Sequence, residues 1–301
     1  MKLFRKISLL LLFLSVVNLQ LSGQVLLNPS DTLNKKRLNG FIIGASATYT
    51  VALISLNELW YKDFERESFH FFNDNNQWKQ VDKVGHFYSS YQISLLSMNA
   101  YRWSGLSERK SYFWGSMTGL IMMLPIEILD GLSSEYGASW GDLVANAAGS
   151  FTLFGQYLLW KEIRIHPKFS FHQSDYASLR PSLLGSNFQE ELIKDYNGQT
   201  YWLSFDIYKF LKDDNKFPKW LNVAVGYGAD RMVYATDTMN EIEGYSAYRQ
   251  LYLSIDFDLT HIKTDNGILR TLLYIGNMIK LPAPTLEFNK EQGVKFHPFY
   301  F

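Results

Sequence analysis

The sequence predicts an α+β chain: a bundle of about four helices, membrane-type or envelope-associated, followed by a small antiparallel β-rich region. Two observations carry this. Between residues 38 and 162, four helix candidates of near-spanning length recur, although the second carries Tyr, Ser, Gln, Asn and Arg102 and would be a poor span alone. After Glu162 the hydrophobic period changes to two. A third observation concerns the start of the chain. Lys2, Arg5 and Lys6 precede the apolar run Ser8–Val17, and Ser22-Gly23-Gln24 supplies small residues for cleavage. The expected organisation is a signal peptide over 1–23, an arm over 24–37, a helical bundle over 38–162 and a β-rich region over 163–301.

The first helix is expected over Leu38–Leu59, with Gly40 and Gly44 as a small-residue pair that lets another helix approach closely. Residues 60–81 mix aromatic and polar groups, and Asn73-Asp74-Asn75-Asn76 reads as a turn. The second helix is expected from Val81 to Trp103, closed by Ser104-Gly105. The third spans about Lys110–Asp130, repeating the small spacing at Gly115 and Gly119, with Pro125 expected to kink it. The fourth starts at Ser139 as N-cap and ends near Trp160.

In the C-terminal region Tyr201, Leu203 and Phe205 alternate with Ser204 and Asp206. Leu251, Leu253, Ile255, Phe257 and Leu259 alternate with Tyr252, Ser254, Asp256 and Asp258. One apolar face at period two predicts half-buried strands, with the Tyr and Phe stripes as core. Leu221–Gly228 and Val294–Phe301 read as further strands and Ile268–Ile279 as a short helix. Four or five strands are fewer than the eight or so that a closed outer-membrane barrel requires, so a small sheet is expected. His166 and His172 read as solvated loop histidines, and Asp195-Tyr196-Asn197-Gly198 as a turn before a strand.

Charge and composition exclude several classes. Lys and Arg balance Asp and Glu at 29 each, so no basic field draws nucleic acid. The chain has no cysteine, which removes disulfides, thiolate metal sites, a cysteine nucleophile and lipidation of an N-terminal cysteine. No G-x-S-x-G nucleophile motif is present, and Gly226-Tyr227-Gly228 lacks the context of a phosphate loop. Partners are expected among membrane or envelope components. Lys35-Lys36-Arg37 before the first helix argues against ordinary inner-membrane spans behind a cleaved signal.

Chemistry-bearing residues recur at helical spacing. Asp82, Lys83 and His86 lie on the second helix, Glu127 and Asp130 on the third, and Asp142 and Asn146 on the fourth. Each i, i+3 or i, i+4 pair shares one helix face. If these faces turn inward, a single polar cluster forms. Histidine with carboxylates suits a divalent metal, with His86, Glu127, Asp130 and Asp142 as ligands. A carboxylate in an apolar bundle can instead serve as general acid or base. The third reading is a buried network, with Lys83 or Arg102 neutralising carboxylates.

Asp82-Lys83-Val84-Gly85-His86-Phe87, Pro125-Ile126-Glu127-Ile128-Leu129-Asp130-Gly131 and Trp140-Gly141-Asp142-Leu143-Val144-Ala145-Asn146 resemble the YfiM-like family, domain of unknown function 2279. That family is described as predicted periplasmic lipoproteins. The resemblance covers about Phe69–Trp160 and implies export to the envelope; the missing cysteine departs from the lipoprotein label. The tail is similar to longer Bacteroidetes-type members. The order D-K-x-x-H, an acidic pair, then D-x-x-x-N-x-x-G is also similar to VanZ-like membrane proteins. Neither resemblance implies a reaction. Two functions are expected: a structural or binding protein of the envelope, or a metal-dependent or acid/base enzyme acting on an envelope lipid or glycan.

Overall fold

The computed structural model describes residues 29–62, 64–211 and 214–301. The expected signal peptide, 1–23, lies outside them. The chain is α+β, with helices in the N-terminal half and one six-stranded antiparallel sheet in the C-terminal region. Contacts group it into two units. One takes the described residues up to Phe72, Ser90–Tyr157 and Lys263–Leu273; the other takes Asn73–Ser89, Leu158–Ile262 and Tyr274–Phe301.

Among the described residues, the helices of ten residues or more are α1 (Lys35–Leu56), α2 (Val81–Trp103), α3 (Glu108–Gly131), α4 (Trp140–Trp160) and α5 (Gly267–Gly276). α1 begins three residues before the expected Leu38, because the Asn34 side chain accepts from the amides of Lys36 and Arg37 at 3.1 Å each. The Ser139 carbonyl accepts from Leu143 N at 3.1 Å, opening α4 where the sequence put its N-cap. α3 stays helical through Pro125.

In the helical unit, small residues set the spacing of α3 against its neighbours. A Cβ at Gly115 would fall 2.6 Å from the Met98 Cβ. One at Gly119 would fall 2.0 Å from Ser94 Oγ and 2.5 Å from the Ser90 carbonyl oxygen. Gly40 and Gly44 differ: nothing lies within 4 Å of a Cβ at either, so their spacing mediates no helix contact in this structure. The inner faces are polar and small, with Ser94, Ser116, Asn146, Ser150 and Gln156 buried beside Tyr91, Met98 and Leu153. The outer faces are apolar. Ile43, Ile121, Val144 and Phe151 are exposed.

The strands are β1 (Ile165–Phe171), β2 (Gln199–Phe205), β3 (Leu221–Asp230), β4 (Tyr248–Phe257), β5 (Ala283–Asn289) and β6 (Gly293–Tyr300), paired in sequence order. β1 and β5 were not expected. β1 occupies the region read as a loop, so His166 is a strand residue. Its neighbours Pro167 and Lys168 disguised the alternation. β5 follows two prolines that read only as a helix stop.

The sheet curls tightly. Thr200 Oγ1 on β2 lies 3.0 Å from the Tyr300 hydroxyl on β6, although these strands stand four places apart in the sheet. Residues 278–280 run parallel to the outer edge of β1. Phe169 N donates to the Met278 carbonyl at 3.1 Å, and Lys280 N donates to the Phe169 carbonyl at 2.9 Å. The curl reverses the expected polarity. By register His166, Lys168, Trp202, Ser204, Asn222, Ala224, Ser254 and Asp256 share the inner face, and all but the half-buried His166 are buried. The apolar alternates Val225, Leu251, Leu253, Ile255, Leu286 and Phe296 are the exposed ones. The apolar stripe read as core is thus largely an outer surface. The enclosed face is narrow, and hydrogen-bonding side chains fill it.

Inside, Trp202, Tyr252 and Tyr300 pack with ring centroids 4.5–6.0 Å apart. Such pairs contribute about 0.5–1.5 kcal/mol each beyond burial. Gly226 makes room for them, since a Cβ there would meet the Trp202 ring at 2.6 Å. Trp202 Nε1 donates to Ser170 Oγ at 2.9 Å, and the Tyr300 hydroxyl donates to that of Tyr252 at 2.7 Å.

Candidate functional site

The sequence-predicted residues fall in both units. In the helical unit Glu127, Asp142 and Asn146 are buried on the inner faces of α3 and α4. Asn146 Nδ2 donates to Glu127 Oε1 at 3.0 Å, and the Ser139 amide donates to Glu127 Oε2 at 3.4 Å. Ser139 Oγ accepts from the Asp142 amide at 3.3 Å. One buried carboxylate therefore ties α3 to the first turns of α4. Asp130 accepts from the Tyr61 hydroxyl at 2.7 Å. Tyr61 ends a π-helical turn, Asn57–Tyr61, that follows α1. The next segment runs beside 131–138, where Glu67 N donates to the Leu132 carbonyl at 3.1 Å and Phe72 N to the Ala138 carbonyl at 3.0 Å.

In the sheet unit, Asp82, Lys83 and His86 occupy the first turns of α2. Asp82 Oδ1 accepts from the Tyr196 hydroxyl at 2.8 Å and lies 3.8 Å from His86 Nε2. Lys83 Nζ reaches Asp82 Oδ2 at 3.2 Å and Asp74 Oδ2 at 2.5 Å. Burial works against the Asp82 charge. His86, Lys83 and the Tyr196 hydroxyl together outweigh it and hold the carboxyl below its ordinary value. Arg102, the other expected neutralising cation, sits instead 3.9 Å from Glu108 in a half-exposed pair.

The approach to α2 is strained. Trp78, Lys79 and Gln80 all have positive φ, at 48°, 50° and 64°. Such conformations cost on the order of 1 kcal/mol or more per non-glycine residue and need surrounding support. The support is present: Trp78 N donates to the Ala235 carbonyl at 2.7 Å, Lys79 pairs with Asp237 at 2.6 Å, and the Tyr227 hydroxyl donates to the Lys79 carbonyl. The sheet unit thus fixes the turn that carries Asp82 and His86.

Sequence reasoning missed a second group of metal-ligating type. His166, Asp206 and Asp258 lie at one end of the curled sheet. Burial pushes the His166 imidazole down to about 4, despite the opposing pull of Asp258. The alternation had placed Asp206 and Asp258 on the polar faces of their strands. Without β1, nothing linked His166 to them.

No curated protein and no solved structure matches the chain. Residues 68–159, the stretch holding Asp82, His86, Glu127, Asp142 and Asn146, match the DUF2279 family, described as "Predicted periplasmic lipoprotein", and this similarity supports an exported location in the cell envelope.

Proposed function

We propose that this chain is a non-catalytic, membrane-associated protein of the cell envelope, with a structural or binding role, in which the Glu127 cluster fixes the packing of the bundle. The observation that carries the reading is that both Glu127 carboxylate oxygens are engaged by the protein, by Asn146 and by the Ser139 amide. A carboxylate held this way is a joint between helices rather than a group left open for a substrate.

Two features support the membrane part. α1 and α3 are long and apolar enough to cross a bilayer. The bundle also turns small and polar residues inward and large apolar ones outward, the reverse of a helix pair held together by water. The outward apolar alternates of the sheet agree with an apolar environment.

The test combines fractionation with stability. The chain resists extraction from envelope membranes by carbonate and is released by detergent. Glu127→Ala lowers stability in detergent by about 1–3 kcal/mol, as expected when buried donors lose their acceptor. Release by osmotic shock alone, or a Glu127→Ala variant as stable as the parent, would overturn the reading.

A further inference from the structure

We propose that His166, Asp206 and Asp258 form a binding site for a divalent transition-metal ion in the sheet unit. One ring nitrogen of His166 and one carboxylate oxygen of each aspartate all lie within 4.8 Å of one another. Metal–ligand bonds of about 2.1 Å hold ligand atoms up to roughly 4 Å apart, so a small contraction closes the set around an ion. One imidazole with two carboxylates suits zinc, manganese or iron(II) better than calcium or magnesium.

The surroundings orient these groups, yet leave His166 Nε2 without a hydrogen bond and Asp206 Oδ2 facing only an ammonium. His166 Nε2 is buried with no hydrogen-bond partner. Asp258 is 3 % exposed, and its Oδ1 accepts from Thr260 N at 2.9 Å and Thr260 Oγ1 at 2.6 Å. Asp206 is 1 % exposed, and its Oδ1 accepts from the Lys209 amide at 3.2 Å. Each aspartate is therefore anchored through one oxygen, the arrangement by which outer contacts aim a ligand. Asp206 Oδ2 is also buried and accepts no hydrogen bond. Lys209 Nζ stands 3.0 Å from it but donates to the Ile163 carbonyl at 2.8 Å. That ammonium is the competitor a metal must displace, and the carbonyl gives it somewhere to stay. His261 Nε2, 3.9 Å from Asp258 Oδ2 on a partly exposed side chain, stands within reach as a fourth ligand. The scaffold is rigid: His166 lies on β1, Asp206 follows β2, and Asp258 follows β4.

The experiment is calorimetric titration of zinc chloride into the full chain, metal-stripped and in detergent. One tight site per chain is expected. His166→Ala and Asp258→Asn each weaken it by about 100-fold or more, beyond the effect of losing an outer contact. Lys209→Met removes the competing ammonium but no ligand, so it tightens binding severalfold. Asp142→Ala, in the bundle, leaves the affinity unchanged. Absence of zinc binding, full affinity in His166→Ala, or loss of binding in Asp142→Ala would each overturn the proposal. Because Lys209→Met keeps every ligand, unchanged or weakened binding in that variant overturns it as well, whatever the other variants do to folding.

Discussion

Lys168 and Asp256 meet at 2.7 Å inside the curled sheet, with their side chains 1 % and 0 % exposed. Lys168 Nζ also donates to the Phe257 carbonyl at 2.9 Å and to Asn277 Oδ1 at 3.0 Å, while Asp256 Oδ2 accepts from Ser204 Oγ at 2.6 Å. Breaking a buried pair from one side costs on the order of 3–5 kcal/mol, because a charge is left uncompensated. Lys280, itself 1 % exposed, also feels Asp256. The two sides are therefore unequal. Asp256→Leu, which strands two ammonium groups, is expected to cost more than Lys168→Met, which leaves Lys280 to balance the carboxylate. Denaturant titration of both variants measures the difference.

Lys280 sets an alkaline dependence. Burial pushes its ammonium down to about 8, against the stabilising pull of Asp256. The unfolded chain holds that proton to an ordinary lysine value of about 10.4. Between these values the unfolded state binds more protons, so stability rises with pH. The gain from about pH 8 to pH 10 is at most about 3 kcal/mol. Lys280→Met abolishes the slope, as thermal melts across that range would register.

The two glycine pairs separate by environment. Gly119→Ala forces a methyl into Ser94 and the Ser90 carbonyl, with an expected loss of about 1–3 kcal/mol. Gly40→Ala meets nothing within 4 Å and is expected to be neutral or to gain up to about 1 kcal/mol of helix propensity. Melting in one detergent compares them directly.

The polarity of the sheet is tested by exchanging its faces. Leu253 is 42 % exposed on the outer face, so Leu253→Gln, which turns one amide toward the apolar surroundings, should cost about 1–2 kcal/mol in detergent. Ser204 is fully buried between Asp256 and Asn222. Ser204→Leu overfills the interior and removes a donor from Asp256, with an expected loss of about 3 kcal/mol or more. The opposite order would restore the sheet to an apolar-core arrangement.

The expected signal peptide gives the last prediction. Chain isolated from the envelope is expected to start near Gln24, with 1–23 removed. Intact mass decides it, and material retaining Met1 would make the N-terminus an anchor instead.

The sequence by itself determined the kinds and places of the main helices. Val81–Trp103 and the start at Ser139 match the structure because local rules suffice: a polar cap, an apolar run and a closing Ser-Gly or charged break. It also determined the change of period after Glu162 and the spacing that puts Asp142 and Asn146 on one face of α4, since a helix stacks residues four apart whatever surrounds it; that Asn146 meets Glu127 across from α3 was decided by packing. Tertiary structure alone decided which face is inside. Alternation in β4 separates Leu253 from Ser254 and Asp256 equally well for either choice, and only the curl, closed by Phe169 against residues 278–280, buried the polar side. It likewise decided that Gly119 is a contact and Gly40 is not, although both carry the same spacing. The meeting of His166, Asp206 and Asp258 was illegible for the same reason: they come from three strand ends distant in sequence, and no local periodicity encodes a register between strands.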